Sequence, residues 1–267
     1  MLNINLLGPL EVRDADRDIT PTACKPRQLL ALLALNGNRI VSVSDLADEL
    51  WEGNLPRSWK TTLQTYILHL RKLIGNRAAA GTGRYERLST RPGGYLFHLD
   101  EDALDVDRFA EIYRLGVDCA ATGDHARAAK SLAAAVRLWR GAALADVELG
   151  PQLRVEVARL NELRIATIEA YCLAELRNGR HNQVLIDLAG HVARYPIHEP
   201  LHALYMRALY QANRRTQALQ VYRDLDRTLR AELGLSPSIP LQRLHQAMLT
   251  EDSSLDEEDL RRWRSPA

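Results

Sequence analysis

Cysteine is scarce: Cys24, Cys119 and Cys172 are the only three in 267 residues. An odd count without paired spacing excludes a disulfide framework and offers no zinc-type ligand pattern, which fits a reducing compartment. Long apolar runs are also missing. Nothing approaches the ~20 residues needed to cross a bilayer, and the start Met1-Leu2-Asn3-Ile4-Asn5 lacks the positive-then-apolar order of a secretory leader. The expectation is a soluble, cytoplasmic protein with no membrane association. Nucleotide and hydrolase signatures are absent too. There is no G-x-x-x-x-G-K-[ST] phosphate loop and no G-x-S-x-G elbow, and Gly81-Thr82-Gly83 is too short to stand for either. No cofactor is expected. With 46% hydrophobic and 26% charged residues the chain is globular, and its length suits two domains.

Net charge is nearly absent as well, at +1. Such a sum by itself argues against a polyanionic partner, but it conceals an uneven distribution. Residues 1–52 carry −3, residues 53–98 carry +7 with eight bases against one acid, and residues 99–267 carry −3. A concentrated basic segment within a neutral protein is what a phosphate backbone attracts.

Local patterns order the rest. Leu2, Ile4 and Leu6 alternate with Asn3 and Asn5, and Leu10 and Val12 resume after Gly8-Pro9, which predicts a short antiparallel meander. Pro26 suits the first turn of a helix that runs through Leu29–Leu35 and stops at Asn36-Gly37-Asn38. A cap around Val41–Asp45 opens a second helix, with Leu46, Leu50 and Trp51 inward. A third helix, from about Ser58 to Ile74, lines up Leu63, Tyr66, Ile67, Leu70, Leu73 and Ile74 as an apolar stripe. Residues 75–83 read as loop, and Tyr85–Ser89 and Tyr95–Leu99 as strands around Thr90-Arg91-Pro92-Gly93-Gly94. Three helices followed by a hairpin is the order of a winged helix.

The outward face of the third helix has Thr61, Thr65, Leu68 and Lys72, with Gln64 and Arg71 on a flank and almost no acid. Such a face fits the major groove. Gln64 is suited to adenine and Leu68 to a thymine methyl. Lys60, Arg71 and Lys72 are expected on phosphates, and Arg87 and Arg91 on the wing. Arg84 and Arg87 have the alternative role of solvating the wing, and Tyr66, Leu70 and Tyr95 are expected in the core.

From Asp105 onward alanine and leucine dominate and every long segment has helical period. Gly123–Ala129, Gly179–Leu185 and Asn213–Leu219 resemble one another as helix openings, and the last two lie 34 residues apart. That is the period of tetratricopeptide helix hairpins, with an extra helix inserted around Gln152–Leu176. His198-Glu199-Pro200-Leu201-His202 matches the zinc-protease pattern H-E-x-x-H. Pro200, however, belongs in the first turn of a helix Leu201–Gln211, leaving His198 outside it, so two imidazoles on one helical face are not expected. The tail 251–267 begins with an acidic run followed by Arg261-Arg262-Trp263-Arg264 and is expected to be flexible.

The chain resembles the Streptomyces antibiotic regulatory proteins. The residues that bear the likeness are Leu6-Leu7-Gly8-Pro9-Leu10-Glu11-Val12, Lys25-Pro26-Arg27-Gln28-Leu29-Leu30-Ala31-Leu32-Leu33, Leu50-Trp51, Thr62–Ile67 with Leu70-Arg71, and Arg91-Pro92-Gly93-Gly94-Tyr95. Leu138-Trp139-Arg140-Gly141, Glu199-Pro200-Leu201, Ala218–Tyr222 and Leu233–Pro237 match the same family's bacterial transcriptional activator domain. The resemblance implies an OmpR-type winged helix (1–99), a tetratricopeptide-like helical domain (105–250), and mostly α structure overall. It implies a non-enzymatic activator of secondary-metabolite gene clusters. Such an activator binds direct repeats in promoter DNA as a homodimer and recruits RNA polymerase holoenzyme with its sigma factor. Glu52, Asn54, Leu55 and Arg57, between helices two and three, would face polymerase. No receiver, nucleotide-binding or sensor segment is recognised, so phosphorylation control and ATP hydrolysis are not expected. Two rival readings are a helical interaction scaffold, which has no need of the +7 segment, and a hydrolase built on His198 and His202. A ligand-sensing helical domain is compatible with the activator.

Overall fold

A computed structural model describes residues 2–78 and 84–250. The chain divides into two compact units. The first comprises Met1–Tyr113 with Ala134–Ile165, and the second Arg114–Ala133 with Ala166–Ala267. Residues 134–165, which the sequence groups with the helical half, therefore pack with the N-terminal elements.

The first unit opens with β1 (Leu2–Asn5), β2 (Glu11–Asp14) and β3 (Arg17–Asp18), an antiparallel sheet in the order β1-β2-β3 with Ile4 opposite Val12. Alternation dictates this: Leu2, Ile4 and Val12 are buried while Asn3 and Arg13 face water. Three helices follow. In α1 (Cys24–Leu35) every residue from Leu29 to Ala34 is buried, as its continuous apolar run requires of a central helix. Helix α2 (Val43–Trp51) is capped by Ser42, whose Oγ accepts the Asp45 amide at 3.0 Å. Helix α3 (Trp59–Ile74) buries Leu63, Ile67, Leu70 and Ile74, an i, i+4, i+7 stripe against α1.

Two strand assignments depart from expectation. A three-residue β4 (Ile40–Ser42) precedes α2 and pairs with β8 (Gly94–Phe97), which also pairs with β7 (Leu88–Arg91). Within the segment 75–83 expected as loop lies β5 (Asn76–Ala78), which pairs with β6 (Arg84–Glu86), the latter overlapping the start of the expected strand Tyr85–Ser89. Both are too short to show a period of two, and β4 exists because a strand more than 50 residues away offers it a ladder. Gly93 and Gly94 of the wing turn have separate reasons. Gly93 takes a left-handed backbone (φ +79°), whereas a Cβ on Gly94 would lie 2.2 Å from the Val41 carbonyl oxygen.

Residues 134–165 close this unit through motifs that lie about 130 positions apart in sequence. Leu6 and Leu7 donate their amides to the Asp105 carboxylate at 2.8 and 2.9 Å. The Arg140 and Leu144 amides reach the Leu7 and Leu6 carbonyls at 2.8 and 3.0 Å. The Arg140 guanidinium meets the Pro9 carbonyl at 2.9 Å and Glu11 at 2.7 Å. Gly8 is pressed against Arg140: a Cβ there would lie 2.9 Å from the arginine's own. Trp139 meets Phe109 edge-on at 5.6 Å, and both join the core of the winged helix.

The second unit is helical. It contains the C-terminal part of α4 (Asp105–Ala121), the N-terminal part of α5 (His125–Arg137) and the C-terminal part of α6 (Pro151–Arg177). It continues through α7 (His181–Arg194), α8 (Glu199–Gln211), α9 (Arg215–Leu233) and α10 (Ile239–Thr250). Helix α7 packs on α8 and α8 on α9, while α10 returns against both α8 and α9. Helices α7 and α9 begin 34 residues apart, so the sequence period marks successive helix hairpins. His198 is the residue before α8 and Pro200 lies in its first turn. His202 is 6% exposed, and no metal-binding cluster occurs among the described residues. The tail 251–267 lies outside the described residues.

Candidate nucleic-acid interface

Helix α3 has one face in the core and the other in solvent. Thr61, Gln64, Thr65, Leu68 and Lys72 are all exposed and recur at spacings of three and four, which aligns them along a single face. Leu68 is 52% exposed, an apolar contact surface without a core role. His69 beside it is exposed as well, a neighbour the sequence pattern did not single out. The Thr65 hydroxyl donates to the Thr61 carbonyl at 2.9 Å, so toward a ligand it offers lone pairs and a methyl. At ~1.5 Å per residue the helix is about 24 Å long and fits a major groove by length and width. Trp59, the first residue of the helix, meets Trp51 of α2 edge-on at 6.4 Å, and the Lys60 ammonium lies 5.5 Å from the Trp59 ring.

The bases of residues 53–98 separate into groups. Arg57, Lys60, Lys72 and Arg91 are exposed. Arg71 is partly buried and bonded to the hairpin: its Nε donates to the Leu88 carbonyl and its Nη2 to Thr90 Oγ1, each at 2.8 Å, and Glu86 lies 3.2 Å away. Arg87 departs from expectation. It is 8% exposed with its guanidinium 3.9 Å from Asp14, because the strand breaks at this residue and directs the side chain inward. Arg87 is therefore withdrawn from the set of DNA contacts. Arg91 stands at the end of β7, beside the wing turn. The core assignments agree, with Leu70 and Tyr95 buried and Tyr66 packed partly against the core.

The loop after α2 presents Glu52, Asn54, Leu55 and Arg57 to solvent. Glu52 ends α2 in a left-handed backbone (φ 48°), and its carboxylate meets Arg154 of α6 at 2.9 Å. That hydrogen bond holds the Glu52 carboxyl below its ordinary range. Leu55 is 44% exposed.

Sequence reasoning missed what lies under α2. Glu49 is fully buried, and its carboxylate accepts the amides of Gly150 at 2.7 Å, Gln152 at 2.8 Å and Leu153 at 3.2 Å. These are the free N–H groups at the start of α6, where Pro151 has none to offer. Gln28 donates to the Glu49 carbonyl at 2.7 Å. A Cβ on Gly150 would fall 2.1 Å from that same carbonyl oxygen. The Lys25-Pro26-Arg27-Gln28 motif serves this seam, with Lys25 on Glu148 at 3.1 Å, Arg27 on Asp146 and Gln28 on Glu49. The available signal was an acid at an inward-facing position of an amphipathic helix.

Residues 104–249 match the family described as Bacterial transcriptional activator domain, and residues 18–97 match Transcriptional regulatory protein, C terminal. Regulatory protein DnrI of Streptomyces peucetius is 41% identical over 96% of this chain and 94% of its own length. Transcriptional regulator RedD of Streptomyces coelicolor is 34% identical over 99% of this chain and 75% of its own. A solved structure of Mycobacterium tuberculosis EmbR, in complex with a low-affinity phosphopeptide, superposes with a TM-score of 0.87 at 30% identity, covering 98% of this chain and 67% of that one.

Proposed function

From the premise that the chain belongs to the Streptomyces antibiotic regulatory protein family, and is a DNA-binding transcriptional regulator and no enzyme, we propose that it activates a secondary-metabolite gene cluster. It does so by binding direct repeats upstream of promoters and recruiting RNA polymerase. The observation that carries this reading is the solvent face of α3. It is free of acids, bears hydroxyls, an amide, an apolar side chain and a cation, and lies in the one strongly basic segment. In the proposed docking α3 enters the major groove. Gln64 and Leu68 contact base edges, with Thr61 and Thr65 beside them, Lys60 and Lys72 hold phosphates, and Arg91 reaches the neighbouring backbone from the wing. Glu52, Asn54, Leu55 and Arg57 form the surface offered to polymerase and its sigma factor. Copies on direct repeats are related by translation, so the pair on DNA need not be a closed two-fold dimer. The molecule would act in the cytoplasm, on the nucleoid.

A salt titration with the two variants below tests the docking. Lys72→Ala should weaken binding to every sequence and lower the slope of log K against log salt by about one unit. Gln64→Ala should instead relax the preference at one base position in a site selection. An unchanged slope together with an unchanged consensus would remove α3 from the interface. Footprinting with and without holoenzyme tests the repeats and the recruitment: two protected segments of the same sequence and orientation, with protection extending toward the promoter when polymerase is added, are expected. A single segment that polymerase leaves unaltered would refute both.

A further inference from the structure

Arg71 sits on the flank of α3, and its guanidinium is engaged by the hairpin. Its Nε donates to the Leu88 carbonyl at 2.8 Å and lies 3.2 Å from the Glu86 carboxylate, and its Nη2 donates to Thr90 Oγ1 at 2.8 Å. These partners span residues 86–90, the chain segment that leads into the wing turn and Arg91. Glu86 is the single acid among residues 53–98, against eight bases. An acid close to a phosphate-binding surface opposes binding, so its presence calls for a local reason. Beside Arg71 it has one: it orients the guanidinium and offsets its charge. Its Nε and one Nη2 hydrogen are committed to the hairpin beside the Glu86 carboxylate, so these contacts fix the orientation of the guanidinium.

We propose that Arg71 is a positioning residue for DNA recognition. It pins wing strand β7 to the recognition helix, so that Gln64 and Leu68 on one side and Arg91 on the other meet the duplex at a set spacing. The assignment rests on the docking of α3 proposed above. It depends on the planar fork of arginine, which bonds a backbone carbonyl and a hydroxyl in two fixed directions. Lysine keeps the charge but cannot reproduce that geometry.

The experiment compares Arg71→Lys, Arg71→Ala and Lys72→Ala in the full chain, by salt-dependent affinity and hydroxyl-radical footprinting on a selected site. Both Arg71 variants should bind about tenfold more weakly. Their salt slope should match the parent, and protection should be lost at the wing-side nucleotides while persisting on the helix side. Wild-type affinity for Arg71→Lys, or a slope lowered by about one unit for Arg71→Ala, would make Arg71 a phosphate contact and overturn the proposal. The docking is read separately from Lys72→Ala. If that variant changes neither affinity nor slope, and Gln64→Ala leaves the selected consensus unchanged, the docking fails and this assignment falls with it. Should Arg71→Ala not fold, Thr90→Val removes one acceptor and leaves the arginine in place. Weakened wing-side protection is then the expected result, and a parental footprint overturns the proposal.

Discussion

Removing the Glu49 carboxylate should detach α6 from α2 and destabilise the whole first unit. The side chain is fully buried and accepts three backbone amides at 2.7, 2.8 and 3.2 Å, with Gln28 Nε2 a further donor at 3.3 Å. Hydrogen bonds to a charged acceptor contribute about 1.5–3 kcal/mol each, and a buried amide left without a partner costs about 1–3 kcal/mol. The contributions are not additive, since one side chain makes them all. Glu49→Ala is therefore expected to cost ~3–5 kcal/mol, the range seen when one partner of a buried charged network is removed. Glu49→Gln keeps one carbonyl oxygen but turns an NH2 group toward amide donors, and should cost ~2–3 kcal/mol. Typical total stabilities are about 5–15 kcal/mol, so either loss is large. Three of the four tryptophans, Trp51, Trp59 and Trp139, belong to this unit, so urea unfolding followed by tryptophan fluorescence reports chiefly on it. With a urea dependence of about 2 kcal/mol per molar, Glu49→Ala should lower the midpoint by about 2 M. Gly150→Ala should reproduce the defect from the other side, because its Cβ would meet the Glu49 carbonyl oxygen at 2.1 Å. Glu52→Gln, which removes only the exposed pair with Arg154, is the control and should shift the midpoint little. A Glu49→Ala midpoint no lower than that of Glu52→Gln would refute the clamp.

Two further outcomes are expected. Gly94→Ala places a methyl 2.2 Å from the Val41 carbonyl oxygen, which must separate β4 from β8. It should cost ~2–3 kcal/mol in thermal unfolding, against ~1–2 kcal/mol for Gly93→Ala, where only the left-handed backbone is strained. Equal losses would contradict the close approach. Burial holds the His202 imidazole below its ordinary value of 6.5. The unfolded chain therefore takes up that proton first, and the stability this group contributes is present above pH 6.5 and lost as pH falls below it. His202→Leu should flatten the stability–pH curve on its acid side, leaving the slope due to His125 and His245, which burial also lowers. A parental slope in the variant would show that His202 titrates normally.

Periodic features could be read from the sequence because a period is a local property. The apolar stripe of α3, the central apolar run of α1 and a cap within Val41–Asp45 each follow from residues within a few turns of one another, and the 34-residue spacing of α7 and α9 is such a local pattern repeated. The exposed set Thr61, Gln64, Thr65, Leu68 and Lys72 follows in the same way, as the complement of that stripe. Pro200 likewise decided against a zinc site, since proline belongs at the start of α8 and not within it. Charge divided by segment pointed to the same region without any geometry.

What tertiary structure alone decided are the pairings between distant residues. Nothing near Arg87 or Arg71 in sequence says that one is buried toward Asp14 and the other bonded across to Leu88 and Thr90. Glu49 looks like an ordinary polar position of a short helix until the start of α6, a hundred residues on, is laid against it. Residues 134–165 have helical texture, which groups them by sequence with the later helices. Backbone amides seeking acceptors on Asp105, Glu49 and the Leu6 and Leu7 carbonyls bind them to the first unit instead. A hydrogen bond depends on where two groups end up in space, and their separation along the chain leaves no periodic mark. The sequence by itself determined the family, the helices and the exposed face of α3 that is proposed to meet DNA. The packing of distant segments determined which of its cations remain free to bind.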